Sequence, residues 1–222
     1  MNRKEVDLIK NTKILEMLNN GEIEELKQLL SSEIYANTLT GNGTAKKRYA
    51  AMKRYFAGKS KDTREFMNKP GTNISYNGKK YNAFCDTYCA VLTTEGIGAM
   101  ETCNDYLNIV SIFDIGKYKA ESENLSINDL LAEAKSKGYK YLKKETGASE
   151  NFQYLLKYKE TFFKIGLIDK AFSIIDDGNI SEVIYLGKKA PLHIKTDIGE
   201  AIILPIAIKE ENIDDSKIII ER

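Results

Sequence analysis

The chain has 222 residues, of which 42% are hydrophobic and 29% charged, with 3 prolines. That composition is typical of a packed protein and excludes a disordered chain, and no apolar run approaches the roughly 20 residues that a membrane-spanning helix needs. The 33 basic and 32 acidic residues leave a formal net charge of +1, which indicates no particular partner, and a single histidine excludes multi-histidine sites.

The cysteines and the first residues indicate the cellular compartment in which the protein is expected. Three cysteines are an odd number and no two have CxxC spacing, so we expect Cys85, Cys89 and Cys103 to be free thiols without a metal. Charged residues interrupt the first eleven positions, where a signal peptide needs an apolar core. The sequence therefore favours a cytoplasmic protein.

The first 38 residues predict a helical hairpin. Apolar residues recur at helical spacing over 6–18 and again over 23–34, and Asn19-Asn20-Gly21 separates the two stretches. Such a hairpin cannot bury both of its faces by itself, so we expect it to dock on the rest of the chain or on another subunit.

A helix and three strands are predicted next. An apolar stripe through Tyr49 and Met52 predicts a helix over 45–57. Asn77-Gly78 then lies between two alternating segments, and this dipeptide is a strong signal for a two-residue hairpin turn. The strands are predicted at 73–76, 81–86 and 88–93.

The second half begins with a predicted helix over 126–144, capped by Ser126 with Asp129 at the third helical position. Further strands and one helix follow, and an apolar run near the end favours an additional edge strand. The strands are predicted at 161–166, 182–186, 191–195, 200–207 and 218–220, and the helix at 167–175.

The order of elements repeats. A helix followed by three strands occurs at 45–93 and again at 167–207, and this order favours an α+β fold with both helices on one face of an antiparallel sheet. We predict an N-terminal hairpin at 1–38, a main domain at 39–209 that contains the inserted helix, and a charged tail at 210–222.

Two stretches resemble a known family. FKIGLIDKAFSIID, SEVIYLG and APLHIKTDIGEAIILPIAI, within 163–208, are similar to the closing half-domain of bacterial sliding clamps, the DNA polymerase processivity factors. YNGKKYNAFCDTYCAVLT, over 76–93, resembles clamp-like proteins of bacteriophages and mobile elements, in which a hairpin ends in a CDGYRAV-like string. The resemblance covers about 44–95 and 160–208.

The resemblance implies a clamp-like domain whose two repeat helices line a DNA-facing side. A sliding-clamp ring is built from six such domains, and this chain holds about one of them. A ring would therefore need a hexamer, or no ring forms.

A dense basic cluster follows the first loop. Between 46 and 64 the sequence has eight basic residues and one acidic residue, Asp62. On a helix, residues seven apart lie on the same side, and a strip of cations there can follow a phosphate backbone. The candidate DNA-binding residues are Lys46, Lys47, Arg48, Lys53, Arg54, Lys59, Lys61 and Arg64. The alternative is an ordinary solvated helix face, and the second repeat's helix is not basic.

The remaining motifs favour structural roles. The loop at 41–44 lacks the glycine and lysine positions of a phosphate-binding loop, and Glu101 stands where a dinucleotide fingerprint needs its third glycine. Strand alternation places His193 on the surface, Asp86 is expected to make a turn hydrogen bond, and carboxylates form no cluster suited to metal catalysis.

These observations predict a non-enzymatic DNA-binding or replication-accessory protein without a cofactor, of phage or mobile-element origin. Its expected partner is DNA, contacted through the backbone, with a replication protein or further copies of the chain as additional partners. The alternative is a protein-interaction module that binds or imitates a host factor without touching DNA.

Overall fold

A computed structural model of the chain describes residues 12–39, 43–56, 64–114, 120–143, 152–208, 213 and 217–221. The helices are α1 (residues 12–19), α2 (Ile23–Thr38), α3 (Gly43–Tyr55), α4 (Val110–Phe113), α5 (Ile127–Lys137) and α6 (Ile165–Ile175), with a 3-10 turn at Glu65–Met67. The strands are β1 (Gly71–Tyr76), β2 (Lys79–Cys85), β3 (Cys89–Thr93), β4 (Glu121–Leu125), β5 (Tyr139–Lys143), β6 (Phe152–Tyr158), β7 (Thr161–Lys164), β8 (Ser181–Tyr185), β9 (Leu192–Thr196), β10 (Gly199–Ile203) and β11 (Ile218–Glu221).

The predicted repeat forms one sheet layer. Seven strands lie in the order β1-β2-β3-β10-β9-β8-β4, and every neighbouring pair is antiparallel. The two three-strand units therefore meet at β3 and β10, as a pseudo-twofold arrangement requires. Both α3 and α6 bury their apolar residues in one core against the same face of this sheet. The α+β class and the placement of both helices on one face are confirmed.

The turn between β1 and β2 follows from its residues. Asn77 has φ 47° and Gly78 has φ 74°, the left-handed conformation that a two-residue hairpin turn needs and that asparagine and glycine tolerate. The predicted hairpin is confirmed, since Tyr76 and Lys79 pair directly across the turn.

The predicted helix over 126–144 is wrong in its second half. Ser126 caps the helix as expected, because its hydroxyl accepts a hydrogen bond from the Asp129 amide at 3.3 Å. The helix ends at Lys137, and the amide of Gly138 donates to the carbonyl of Ala134. The following residues, YKYLK, form β5 in a second sheet ordered β11-β5-β6-β7. The predicted strand at 218–220 is confirmed as the edge of this sheet, parallel to β5.

A second apolar layer covers the other face of the large sheet, and it overturns the prediction for His193. Ile109 and Phe113 pack there with Leu92 and Ile202, so strands in the centre of the sheet are enclosed on both faces. His193 is completely buried, pairs across the ladder with Ile202, and lies with its ring 5.8 Å from that of Phe113. The expected surface histidine is therefore a core residue, because the segment before β4 covers this face.

The C-terminal end of α2 packs against the main domain. Leu26 is buried, while Tyr35, Ala36 and Leu39 pack against the main core. Among the described residues, no helix has both the length and the apolar character that crossing a membrane would need.

Candidate nucleic-acid interface

Helix α3 has one face fixed in the core. Tyr49, Met52 and Phe56 are buried there. The Tyr49 ring lies 4.9 Å from that of Tyr35 in α2, and the Phe56 ring lies 5.4 Å from that of Phe84 in β2. These contacts fix the rotation of α3 about its own axis, and so they determine which residues face outward.

The opposite face of α3 is basic. Lys46, Lys47 and Arg54 are exposed and Lys53 is half-buried. Residues 46 to 54 span about 12 Å at 1.5 Å per residue. Within the described residues, no carboxylate forms an ion pair with any of these four side chains, and the Arg54 guanidinium lies 5.1 Å from the ring centre of Tyr55. These four residues are called the α3 basic strip below.

Arg48 lies on the other side of the helix from this strip. It is buried, and its guanidinium donates to a Glu95 carboxylate oxygen at 2.9 Å and to the Asp176 carbonyl at 2.8 Å. These bonds join α3 to the loop after β3 and to the end of α6. The enclosed guanidinium holds the fold together, so we exclude Arg48 from the proposed DNA-contacting set. Its spacing of three and four residues from Ala45 and Met52 already places it on the apolar face.

Three further candidates lie beyond the helix. Lys59 and Lys61 are outside the described residues. Arg64 is exposed, and its guanidinium lies 5.3 Å from the ring centre of Phe66. The structure thus brings four of the eight predicted cations together on one helical face.

The equivalent helix of the second repeat is not basic. The one cation of α6, Lys170, forms an ion pair with Asp86 and lies 4.2 Å from the ring centre of Phe56, while Asp169 is exposed. The two repeat helices therefore present different charges to solvent.

Asp86 makes the turn hydrogen bonds that the sequence predicts. Its carboxylate accepts from the amides of Tyr88 at 2.7 Å and Cys89 at 2.8 Å. Burial alone would raise the pKa of Asp86, but the hydrogen bond from Lys170 and those from the two amides outweigh it and lower the pKa below its ordinary value. The carboxylate is held charged as a structural anchor between β2, β3 and α6.

The thiols are buried in unreactive settings. Cys85, Cys89 and Cys103 are free and buried. Burial, assisted by the charge of Asp86, raises the pKa of Cys85 to about 11 and also raises the pKa of Cys89. Burial and the charge of Glu65 raise the pKa of Cys103. Among the described residues, no three histidine, cysteine or acidic side chains come together in a way that could hold a metal ion.

A second pair of polar side chains, missed from the sequence, lies beneath the other face of the sheet. The His193 Nε2 atom is 2.8 Å from a Glu200 carboxylate oxygen, and both residues are buried. His193 Nδ1 has no hydrogen-bond partner among the described residues. The pair joins neighbouring strands β9 and β10 diagonally across one face. The apolar neighbours Leu192 and Ile194 were the available signal for burial at this point of the strand.

Comparisons with known proteins give likenesses of structure only. No protein-family model matches the sequence, and no curated protein matches it significantly. A Eubacterium rectale protein provisionally described as a DNA polymerase III beta subunit is similar in structure, with a TM-score of 0.48 and 13% identity over 74% of this chain. DNA polymerase III subunit beta from Borrelia burgdorferi, solved with a natural product, gives a TM-score of 0.47 and 11% identity over 76% of this chain. The match spans 64% and 62% of those two structures, under two thirds of each.

Proposed function

We propose that this chain is a non-enzymatic, sliding-clamp-like protein that binds DNA through the phosphate backbone, in a replication-accessory role of the kind that phages and mobile elements encode. The α3 basic strip is the observation that carries the proposal. Its four cations share one exposed face, opposite the buried Tyr49 and Met52.

The geometry of the strip suits phosphates better than bases. Along the axis of duplex DNA each strand carries one phosphate about every 3.4 Å, so a strip that extends about 12 Å in that direction passes three to four of them. Lysine and arginine at phosphates release counterions but read no base edge. Binding is therefore expected to be weak to moderate, independent of sequence and strongly dependent on salt.

Charge reversal of the strip tests the proposal. The variant carries glutamate at Lys46, Lys47, Lys53 and Arg54, and binding to labelled single- and double-stranded random DNA is measured at 50 mM salt. The matched control reverses four exposed lysines at the two equivalent hairpin turns, Lys79, Lys80, Lys188 and Lys189, and so changes the net charge equally.

The expected result is loss of binding in the strip variant, retention in the control, and unchanged thermal unfolding in both. Equal losses in the two variants would mean that overall charge, and not the α3 basic strip, determines binding. Absence of binding by the unaltered protein to either DNA form would refute the proposal.

The second candidate function is a protein-interaction module without DNA contact. The asymmetry between the repeats favours it, because α6 presents Asp169 and an ion-paired lysine where α3 presents the basic strip. A protein that failed to bind DNA but was folded and stable would leave this module as the function to test.

A further inference from the structure

A cleft of about 560 Å³ lies beside the start of α6. Its walls come from the turn between β2 and β3, from α5, from β6 and from the first residues of α6. Ligand sites in proteins usually have volumes of about 300–1,000 Å³, so the cleft has room for a small ligand or for one part of a larger one. It shares no residue with the α3 basic strip.

Two exposed aromatic side chains line this cleft. Tyr88 is 54% exposed and Tyr154 is 40% exposed, whereas every other aromatic side chain that the structure describes is buried or half-buried. An exposed tyrosine presents a flat ring on which another ring can stack, at little cost in side-chain entropy. The two rings of this kind therefore occur at one place.

The backbone that carries Tyr88 is fixed. Its amide donates to the Asp86 carboxylate at 2.7 Å, and its carbonyl accepts from the Leu204 amide at 2.8 Å. On the side-chain end, the Lys164 ammonium lies 5.8 Å from the centre of the Tyr88 ring, within cation–π range. Little ordering is therefore needed when a ligand stacks on this ring.

The charges in the cleft suit a nucleotide. Its charged lining residues are Lys135, Lys164 and Asp169, and within the part of the chain that the structure describes neither lysine forms an ion pair with a carboxylate. A tyrosine ring beside a lysine is the combination that binds a base together with its phosphate. Asp169 repels a phosphate, but its carboxylate accepts hydrogen bonds from N–H groups, which every base carries.

The cleft lies beyond one end of the α3 basic strip. The Arg48 guanidinium reaches the Asp176 carbonyl at the end of α6, while the Phe56 ring, just after α3, lies against Lys170 in the middle of α6. The two helices are therefore antiparallel, and the Arg54 end of the strip is the end nearer to the start of α6. That start is about 8 Å farther along the helix axis than Lys170.

We propose that the cleft binds unstacked bases of single-stranded DNA, on Tyr88 and Tyr154, while the α3 basic strip holds the backbone of the same strand. Bases in a duplex are stacked on one another and cannot enter, so the cleft adds affinity for single strands only. The two lysines favour this anionic ligand over an apolar peptide. This inference rests on the proposed DNA binding and adds the form of DNA that the protein prefers.

Binding of the full chain to an oligothymidylate of about 20 nucleotides, and to a duplex of the same length, tests the inference. Tyr88→Ala and Tyr154→Ala should each weaken single-strand binding by about fivefold or more, with an unchanged salt slope and unchanged duplex binding. The matched controls Tyr88→Phe and Tyr154→Phe keep the rings and should keep the affinity. Lys164→Ala should instead lower the salt slope on the single strand by about 0.7.

The outcomes separate this inference from the proposed function. Alanine variants that bind both DNA forms like the unaltered protein, or that weaken both equally, would overturn the cleft and leave DNA binding by the strip intact. Absence of binding to either form would refute the proposed function as well. Thymidine monophosphate that bound as tightly as the oligonucleotide would show a small-molecule site and would also overturn the inference.

Photocross-linking gives a second readout that needs no variant. An oligothymidylate with one 5-iododeoxyuridine cross-links on irradiation to an aromatic side chain stacked on that base. We expect the cross-linked peptides of the unaltered protein to contain Tyr88 or Tyr154. Cross-links found only at other positions would overturn the inference.

Discussion

Replacing Arg48 with methionine keeps a long unbranched side chain in α3 and removes the guanidinium. The change breaks two hydrogen bonds, one to the Glu95 carboxylate and one to the Asp176 carbonyl. It therefore releases the tie between α3, the loop after β3 and the end of α6. We expect the variant to fold less stably, and to bind DNA with an unchanged salt dependence because Arg48 faces inward.

The size of the loss follows from how enclosed the two partners are. Breaking a fully buried pair costs about 3–5 kcal/mol, and an exposed pair contributes about 0–1 kcal/mol. The Arg48 side chain is 10% exposed and that of Glu95 is 22% exposed, so Glu95 regains part of its hydration when its partner is lost. The Arg48 Nε group is buried and has no hydrogen-bond partner among the residues that the structure describes, which lowers the net contribution further. We expect a loss of about 2 kcal/mol, or a fall in Tm of about 4–8 °C for a chain of this length.

Thermal unfolding of Arg48→Met, Glu95→Gln and the double variant measures the interaction directly. A coupling free energy of about 1–2 kcal/mol between the two sites is expected. Lys47→Met is the matched control, since it removes a neighbouring cation that is exposed, and its Tm should change by no more than about 2 °C. An unchanged Tm for Arg48→Met, together with a weaker salt dependence of DNA binding, would refute a structural role for Arg48.

Three other residues give independent predictions. Asp86→Asn keeps the turn acceptor but loses the charge that faces Lys170. Because the pKa of Asp86 is lowered in the fold, the contribution of its charge to stability is complete above the ordinary carboxyl pKa of about 3.9 and is lost as pH falls through the folded pKa. The difference in unfolding free energy between the two proteins should therefore shrink in acid, and a constant difference would contradict this. His193→Leu should cost about 2–4 kcal/mol in urea unfolding because it leaves Glu200 buried and unpaired, and adding Glu200→Leu should recover at least half of that loss. With a pKa of about 11, Cys85 should react with a thiol reagent at pH 8 about 200-fold more slowly in the native than in the unfolded protein. Stoichiometric zinc in the purified protein, or a disulfide resistant to reductant, would show that the cysteines are not free thiols.

Local patterns were enough to predict the repeated unit. Asn77-Gly78 specifies its turn through backbone conformation alone, and Ser126 specifies a helix start through one hydrogen bond. Helix–strand order then predicts that both repeat helices cover one face of a shared sheet. Each of these features depends on residues close together in the chain, so the sequence displays it directly.

Two predictions are wrong because of contacts between distant segments. His193 is buried because Phe113, eighty residues earlier, covers the outer face of β9, and alternation within one strand cannot reveal that cover. The strand β5 replaces the end of a predicted helix because β6 and β11 are available to pair with it. Arg48 was predicted with its basic neighbours from charge alone. Its helical spacing places it beside Met52, and its guanidinium bonds Glu95, 47 residues away.

The salt dependence of DNA binding measures how many phosphates the α3 basic strip contacts. If the four cations of the α3 basic strip contact phosphates, log K should fall with log salt at a slope of about −3.6 on duplex DNA, which is a loss of roughly 150-fold between 50 and 200 mM. Removing Lys46 or Lys47 singly should reduce that slope by about 1 on any DNA sequence. A slope near zero, or a slope that the removal of the strip leaves unchanged, would contradict DNA binding by this face of the protein.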